Sequence, residues 1–285
     1  MAVGSVGVLG AGQMGAGIAQ VASCSGYPVT MVDIDQTAVD RGIDSITSSL
    51  ERIVSKGRME PKDSQSAIDL ITTSTDRNDL SGCDLIVEAI PEILQLKMDT
   101  FSELDNICRP DAILATNTSS ISIDAIAKST TRPQRVIGMH FMNPVPIMKL
   151  VEVINGSETL EEVTEDVISV VESMGKVALH CNDSPGFVSN RILCPMINEA
   201  ILTLEEGVAE PDAIDGIMKL GMNHPIGPLA LADLIGLDTV LHIMGVLHQG
   251  LANDKYKPAS LLVSMVEEGK LGRKTGIGFY NYTMN

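Results

Sequence analysis

The segment that most restricts the fold is VGVLGAGQMGAG, residues 6–17. A short apolar run is followed at once by glycines at positions 10, 12 and 15, and then by residues with helical spacing. A strand that turns into a helix through this glycine pattern is typical of the start of a dinucleotide-binding βαβ unit. Gly10 permits the tight turn, Gly12 lets a pyrophosphate approach the backbone, and Gly15 lets helix and strand pack closely.

The helix after this turn is predicted to begin at Gln13. Its N-terminus supplies backbone amides and a positive dipole end to the phosphates. We therefore expect Gln13 and Met14 to take part in cofactor binding with the three glycines. The alternative is a glycine-rich turn that binds no ligand.

Asp33 ends the second apolar strand, in PVTMVDID, and stands eighteen positions after Gly15. An acidic side chain there accepts hydrogen bonds from ribose hydroxyls and repels a 2′-phosphate, so it favours NAD over NADP. Asp35 is an alternative ribose partner, although it could instead cap the helix that starts at Gln36.

The first 180 or so residues alternate short apolar, β-branched runs with amphipathic stretches. This alternation predicts an α/β fold with a doubly wound, mostly parallel sheet of the Rossmann type. The predicted strands are Val6–Leu9, Val29–Val32, Ile71–Thr73, Leu85–Ala89, Ile113–Thr116, Val136–Met139, Leu150–Ile154 and Val177–Leu179. Helices are predicted at Gln13–Ser23, Gln36–Lys56 and Leu94–Asn106.

The pattern changes at CNDSPGF, residues 181–187, after which helical spacing dominates. One amphipathic helix runs from about Val188 to Gly207, and others are predicted at Asp212–Leu220, Leu229–Gln249 and Ala259–Glu268. We therefore predict an NAD-binding domain over residues 1–183. An all-α domain for substrate binding and dimerisation is predicted over residues 184–285.

Composition excludes several classes of protein. The formal charge is −17 and aromatic residues make up 3% of the chain, which argues against a nucleic-acid partner or an anionic membrane surface. The five cysteines include no CxxC pair, and we expect reduced thiols and no metal site. With no signal-like N-terminus and no apolar run long enough to span a bilayer, a cytoplasmic location is predicted.

Five blocks carry a family resemblance: GAGQMG, ATNTSSISI, GMHFMNPVPIMKLVEVI, DSPGFVSNRI and NHPIGPLALADLIGLD. Together they resemble the L-3-hydroxyacyl-CoA dehydrogenases, and among them the bacterial 3-hydroxybutyryl-CoA dehydrogenases of about this length. The resemblance extends to the closing LGRKTGIGFYNY and departs at Ile277, where relatives often carry a charged or polar residue. It implies hydride transfer between NAD and C3 of a short-chain 3-hydroxyacyl-CoA, and a homodimer formed through the helical domain.

His140 and Glu152 stand twelve positions apart, one near the end of a strand and one near the start of the next. Prolines at 144 and 146 force a loop between them, so a strand–loop–strand can bring the two side chains together. A carboxylate partner fixes the tautomer of an imidazole. The resemblance implies that His140 is the catalytic base and that Glu152 orients it. The alternative is a histidine satisfied in the core.

Other site residues are implied mainly by the same resemblance. Ser119 and Asn190 match positions that hydrogen-bond substrate oxygens, which would put the site between the two domains. Contacts to NAD are implied for Glu92, Lys97, Ser119, Asn143 and Lys274, and Asn117 is predicted at the same sheet edge. Open alternatives are a helix cap for the Asn and Ser residues, a solvated helix position for Lys97 and a tail charge for Lys274.

The segment ERIVSKGRMEPK, residues 51–62, is the densest basic patch of the chain. Coenzyme A is polyanionic, and in the resembled family a helical hairpin after the second strand contacts it. We therefore predict that Arg52 and Lys56 bind the acyl-CoA substrate. The alternative is a solvated helix end.

Two other functions stay open at this point. The chain could be a sister dehydrogenase of a free hydroxy or sugar acid, or a non-enzymatic NAD-binding relative. The homodimer has support besides resemblance, because the helical domain looks too small to bury all its apolar positions. These positions include Leu229, Leu231, Leu234, Leu237 and Leu241.

Overall fold

The computed structural model describes residues 3–283 and contains one eight-stranded sheet. Its strand order is β3-β2-β1-β4-β5-β6-β7-β8, and every neighbouring pair is parallel except β6 with β7. The first six strands have the order of a dinucleotide-binding doubly wound sheet. The strands are β1 Val6–Leu9, β2 Val29–Val32, β3 Ile71–Ser74, β4 Leu85–Glu88, β5 Ile113–Thr116, β6 Val136–Phe141, β7 Leu150–Asn155 and β8 Val177–Asn182.

Eleven α-helices lie among residues 3–283. Six accompany the sheet: α1 Gln13–Cys24, α2 Gln36–Ser55, α3 Pro61–Asp69, α4 Leu94–Ile107, α5 Ile123–Ala127 and α6 Glu161–Ser173. Five follow it: α7 Ser189–Glu205, α8 Pro211–Gly221, α9 Pro228–Ile235, α10 Leu237–Leu251 and α11 Ser260–Glu267. The predicted class, a Rossmann-type sheet followed by a helical domain, is confirmed.

The central strands β1, β4, β5 and β6 are buried along their whole length. They are nearly continuously apolar because helices cover a parallel sheet on both faces. Polar residues at their carboxyl ends are therefore the ones available to a ligand at that edge.

One predicted helix is wrong in extent. The stretch Leu229–Gln249 contains two helices, α9 and α10, bent by 98° where Gly236 separates them. Gly236 has φ of +103°, in the left-handed region that favours glycine, and this breaks the helix although the apolar pattern continues. Helices α3, α5 and α6 were not among the predicted helices, and several strand ends differ from prediction by one to three residues.

The chain divides between Asp183 and Ser184 into two compact units. The first unit holds the sheet with α1–α6, and the second holds α7–α11 with its own apolar core. In the described part of the chain, no single helix is long and apolar enough to cross a membrane, and only the bent pair α9–α10 has the length and composition together.

Candidate active site

The glycine turn between β1 and α1 is built for close backbone approach. Gly10 has φ of +107°, and a Cβ on it would lie 2.6 Å from the carbonyl oxygen of Ala89. A Cβ on Gly15 would lie 1.8 Å from the Gly10 carbonyl oxygen, so neither position admits a side chain. At Gly12, by contrast, nothing lies within 4 Å of such an atom, so the backbone there borders open space.

This open space fits a dinucleotide phosphate. Helix α1 begins at Gln13, and the first amides of a helix have no acceptor within it. No acidic side chain lies in its first turn to occupy them. A phosphate can therefore approach the backbone at Gly12 and accept hydrogen bonds from these amides.

Asp33 and Asp35 have different partners. Asp33 Oδ2 accepts a hydrogen bond from the Ala11 amide at 2.6 Å, which ties the end of β2 to the glycine turn. Asp35 is the N-cap of α2, with Oδ1 accepting from the Ala38 amide at 2.8 Å. The helix-cap interpretation of Asp35 is thus confirmed, and Asp33 is the carboxylate next to the turn.

A cavity of about 880 Å³ lies beside this turn. Its size suits part of a dinucleotide. It is bordered by the glycine turn, the end of β2, the start of α2 and the segment after β4. The lining residues are Gly10, Ala11, Gly12, Gln13, Met14, Ala16, Asp33, Ile34, Asp35, Ala38, Arg41, Ser45, Arg77, Ala89, Ile90, Pro91 and Leu96.

His140 and Glu152 face each other across the antiparallel β6–β7 ladder, where they form a direct register pair. His140 Nδ1 and Glu152 Oε2 are 2.8 Å apart, and both side chains are buried. The carboxylate holds the imidazole in the tautomer whose proton is on Nδ1. The predicted strand–loop–strand, with His140 and Glu152 in contact, is therefore confirmed.

The segment after β5 is tied to the same edge. Asn117 Oδ1 accepts a hydrogen bond from the Phe141 amide at 2.9 Å, which links it to the residue after His140. The Ser119 amide donates to Glu92 Oε1 at 2.9 Å. The helix-cap alternative is wrong for Asn117 and Ser119, because the N-cap of α5 is Ser122.

Lys97 lies in the first turn of α4 and is 1% exposed. Its Nζ donates to Glu88 Oε1 at 2.6 Å and lies 3.5 Å from Glu92 Oε2. The solvated-helix alternative for Lys97 is therefore wrong. A contact between Lys97 and NAD stays a prediction.

A second cavity, of about 660 Å³, lies between α1, α2 and the loop that follows β6. Arg52, Lys56 and Arg58 line it, and no carboxylate stands among the described residues around it. In a chain with a formal charge of −17, such a grouping favours an anionic ligand. The other lining residues are Gln13, Ala16, Gly17, Gln20, Ser45, Ile46, Ser49, Ile53 and residues 143–147.

Asn143 thus lines this second cavity, and it stands three positions after His140 in the sequence. Sequence reasoning missed the residue that holds its loop. Lys176 is buried and donates from Nζ to the carbonyl oxygens of Val145 and Met148 at 2.6 and 2.7 Å. Burial lowers the pKa of Lys176. Nothing in the local sequence distinguishes this lysine from a surface charge.

Two predicted site residues belong to the second unit. Asn190 is the second residue of α7. Lys274 forms an ion pair with Asp238 in the first turn of α10, and both side chains are partly exposed. Lys274 is therefore more than a solvated charge of the C-terminal tail, because its side chain is paired with Asp238. The predicted ligand contacts of both residues stay predictions.

The five leucines used to argue for a dimer differ in how deeply they are buried in the second unit. Leu229 and Leu237 are fully buried in its core, and Leu231 and Leu241 pack against that core. Only Leu234 of the five is largely exposed, at 53%. The prediction that the domain cannot bury these leucines is therefore wrong for Leu229 and Leu237, whereas Leu231 and Leu241 are only partly buried.

No group of three or more His, Cys, Asp or Glu side chains within residues 3–283 is arranged to hold a metal ion.

Comparison with known proteins identifies both units. Residues 5–184 match the NAD binding domain of 3-hydroxyacyl-CoA dehydrogenase, and residues 186–282 match the C-terminal domain of the same family. The probable 3-hydroxybutyryl-CoA dehydrogenase of Deinococcus radiodurans is 57% identical over 97% of this chain and 99% of its own length. The 3-hydroxybutyryl-CoA dehydrogenase of Bradyrhizobium diazoefficiens is 50% identical over 97% of this chain and 94% of its own.

A solved structure agrees with these sequences. The crystal structure of (S)-3-hydroxybutyryl-CoA dehydrogenase from Ralstonia eutropha matches with a TM-score of 0.97 and 49% identity, over 99% of this chain and 100% of that one. With its NAD-binding domain, its helical domain and these relatives, the chain belongs to the 3-hydroxyacyl-CoA dehydrogenase family, whose members are NAD-dependent oxidoreductases.

Proposed function

We propose that this enzyme interconverts (S)-3-hydroxybutanoyl-CoA and acetoacetyl-CoA with NAD(H). The buried His140–Glu152 pair at 2.8 Å carries the proposal, because it is an oriented acid–base group at the ligand-binding edge of the sheet. The names of the relatives from three bacteria support the four-carbon substrate.

His140 is the proton-transfer residue of this proposal. NAD, when bound, accepts the hydride from C3 of the substrate. Since Nδ1 is held by Glu152, Nε2 of His140 takes the proton from the 3-hydroxyl during oxidation and returns it to the 3-oxygen during reduction. Glu152 stabilises the imidazolium that forms. Ser119 and Asn190 stabilise charge on the substrate oxygens.

The cofactor is bound along the glycine turn, with Asp33 on the ribose and Gly10, Gly12 and Gly15 beside the phosphates. The cavity next to the turn supports this position. Glu92, Asn117, Ser119 and Asn143 extend the site toward the nicotinamide end. For Lys97 and Lys274 the contact with NAD remains a prediction.

The acyl-CoA chain is bound with its phosphates near Arg52 and Lys56. Three cations and no carboxylate line the cavity beside them in the described structure, which supports an anionic ligand at this place. Asn143 and the loop that follows β6 border the same cavity, and this loop leads back to His140. We propose that the thioester end of a CoA ligand bound here reaches His140.

We further propose a cytoplasmic homodimer that associates with neither nucleic acid nor membrane, with its interface on the second unit. Five exposed apolar side chains of this unit support the interface, and Leu234 is the one leucine of the sequence argument among them. They are Val208, Ile217, Leu220, Met222 and Leu234. Burying such a set removes apolar surface from water.

The decisive experiment is NADH oxidation by the purified enzyme with acetoacetyl-CoA, compared with free acetoacetate and with longer 3-oxoacyl-CoA substrates. We expect the largest kcat/KM for acetoacetyl-CoA. Equal activity on acetoacetate would favour a dehydrogenase of free acids. NADH binding without turnover of any 3-oxoacyl substrate would favour a non-enzymatic relative.

Charge reversal tests the CoA site. Arg52→Glu with Lys56→Glu should raise KM for acetoacetyl-CoA by about tenfold, because two attractive exposed charges become repulsive, each worth up to about 1 kcal/mol. The KM for NADH should stay unchanged. Lys62→Glu is the matched control, because Lys62 lies in the same basic segment and does not line the cavity. An unchanged KM in the double variant, or an equal rise in the control, would move the CoA site elsewhere.

A further inference from the structure

Glu88 is a fully buried carboxylate at the end of β4. Its side chain accepts hydrogen bonds from three different parts of the fold. Its Oε1 accepts from Lys97 Nζ of α4 at 2.6 Å and from the Ile90 amide at 2.7 Å. Its Oε2 accepts from Thr116 Oγ1, at the end of β5, at 2.7 Å. A buried carboxylate is costly unless it is paired and hydrogen-bonded, and Glu88 is both.

The hydroxyl of Thr116 extends this contact to the segment after β5. While it donates to Glu88, it accepts a hydrogen bond from the Thr118 amide at 3.2 Å. The Glu88 carbonyl oxygen also accepts from the Asn117 amide at 2.8 Å. Two residues of segment 117–120 are thereby fixed from Glu88.

Lys97 extends the contact by a second route. Its ammonium also donates to the Ile90 carbonyl oxygen at 3.3 Å and lies 3.5 Å from Glu92 Oε2. The other oxygen of Glu92 accepts from Thr118 Oγ1, from the Ser119 and Ser120 amides and from Ser120 Oγ, at 2.6 to 3.1 Å.

These hydrogen bonds and the Lys97 ammonium favour the ionised form of Glu92. Burial raises the pKa of Glu92, but the Lys97 ammonium and the hydrogen bonds from Thr118, Ser119 and Ser120 outweigh it, so the pKa lies below its usual value. One buried cation therefore serves two carboxylates, and each of them holds the same segment.

We propose that the buried Glu88–Lys97 pair is a positioning device that sets segment 117–120 against β6, with Glu88 acting through Thr116 and Lys97 acting through Glu92. Segment 117–120 contains Asn117, which is bonded to the residue after His140, and Ser119. The inference rests on the proposed function, since it deepens the account of the same site. In this account Glu88 is a positioning residue that acts through Thr116, and Lys97 positions the segment through Glu92 whether or not it also contacts NAD.

Thr116 offers the cleanest variants. Thr116→Val keeps the shape of the side chain, but it removes the donor to Glu88 and the acceptor for the Thr118 amide. Thr116→Ser keeps the hydroxyl. We expect kcat to fall about tenfold to a hundredfold in Thr116→Val, as for a small displacement of positioned groups, and to stay near the wild-type value in Thr116→Ser.

Glu88→Gln tests the charge itself, and Glu88→Gln with Lys97→Met removes both buried charges so that neither is left unpaired. Both variants should lower kcat by about tenfold to a hundredfold, and in Glu88→Gln, which keeps Lys97, KM for acetoacetyl-CoA and Kd for NADH should change little. Asp99→Asn is the control, because Asp99 is exposed on the same helix and accepts a hydrogen bond from Gln95, away from Glu88 and Lys97.

A readout independent of activity separates this inference from the proposed function. Amide hydrogen exchange of segment 117–120 should be faster in Thr116→Val and Glu88→Gln than in the wild type, even if acetoacetyl-CoA is not the substrate. Unchanged exchange in a folded Thr116→Val variant would overturn the inference. So would a wild-type kcat in that variant, or loss of NADH affinity as the main effect of Glu88→Gln. If Glu88→Gln does not fold, the Thr116 pair decides.

Discussion

The contact between Glu152 and His140 allows a quantitative prediction for Glu152→Gln. The amide keeps the shape of the side chain and can still accept a hydrogen bond, but it carries no charge. In the structure the His140 side chain is 8% exposed and the Glu152 side chain 5% exposed, and His140 Nδ1 lies 2.8 Å from Glu152 Oε2. His140 becomes a cation when it holds the substrate proton, so the carboxylate stabilises that state and the variant lacks this stabilisation.

The size of the expected loss in kcat follows from Coulomb's law. Two unit charges about 4 Å apart interact by about 4 kcal/mol at an effective dielectric constant near 20. Each 1.4 kcal/mol is a factor of about ten in rate, so the full interaction corresponds to about 10³. Since the amide retains part of the orienting contact, we expect kcat to fall by about 10²–10³ in Glu152→Gln.

His140→Gln removes the proton-transfer group and should lower kcat by about 10²–10⁴, or about 3–5 kcal/mol of transition-state stabilisation. The double variant should resemble His140→Gln alone, because Glu152 acts only through the imidazole. The assay is NADH consumption with acetoacetyl-CoA. NADH titration should show intact cofactor binding, and His242→Gln, an exposed histidine of α10, is the control.

Two results would refute this reasoning. A folded His140→Gln variant with near-normal kcat would remove His140 from the chemistry, and the base would have to be sought among the other histidines. If the loss in the double variant equals the product of the two single losses, His140 and Glu152 act independently, and the orienting role of Glu152 is wrong.

Three further predictions follow from other contacts. Asp33→Ser should narrow the preference for NADH over NADPH in kcat/KM, because it removes the charge that repels a 2′-phosphate, and a wild-type preference for NADPH would contradict the role of Asp33. Asp105→Asn should lower the free energy of unfolding at neutral pH by about 3 kcal/mol, because it leaves the buried Arg132 guanidinium, 2.5 Å from Asp105 Oδ1, without its counter-charge. Burial raises the pKa of Asp105, but hydrogen bonds from Thr131 and the Arg132 charge hold it below its ordinary value of 3.8, so this stability exists above that pH and is lost as pH falls through the lowered value. Acid unfolding below about pH 4 should accordingly be steeper in the wild type than in Asp105→Asn, and equal slopes would exclude the pair as the cause. Leu220→Glu should shift a dimer toward monomer in sedimentation, since Leu220 is 91% exposed and apolar, and a wild-type monomer at micromolar concentration would contradict the dimer itself.

Much of the fold was predictable because the informative signals are local. The central strands are short, β-branched and buried on both faces, so apolar runs mark them to within a few residues. The break at Gly236 was missed because the apolar spacing of α9 continues into α10, and only the backbone conformation at that glycine separates the helices. Helix α3 was missed because it is short and buries only Ser64 and Ala67, which leaves no apolar stripe.

The candidate site was predictable where one segment contains both partners. His140 and Glu152 are joined by a single loop, so their spacing indicated a hairpin. The burial of Lys97 could not be foreseen, because it depends on Glu88 and Glu92 from a neighbouring strand end and loop. Lys176 is a similar case, since its acceptors are carbonyl oxygens about thirty positions earlier, which have no side-chain signature.

The register of the β6–β7 ladder has a consequence for how this family can vary in length. Five residue pairs, from Ile137 with Asn155 to Phe141 with Val151, hold Glu152 opposite His140. An insertion or deletion within residues 142–149 that left these five pairs intact would keep the two side chains in contact and would reshape the wall of the cation-lined cavity, including Asn143. A single residue inserted between Leu150 and Glu152 would instead turn the carboxylate to the opposite face of the sheet. A change in the length of this loop is thus expected to affect the cavity wall more than the proposed proton-transfer pair.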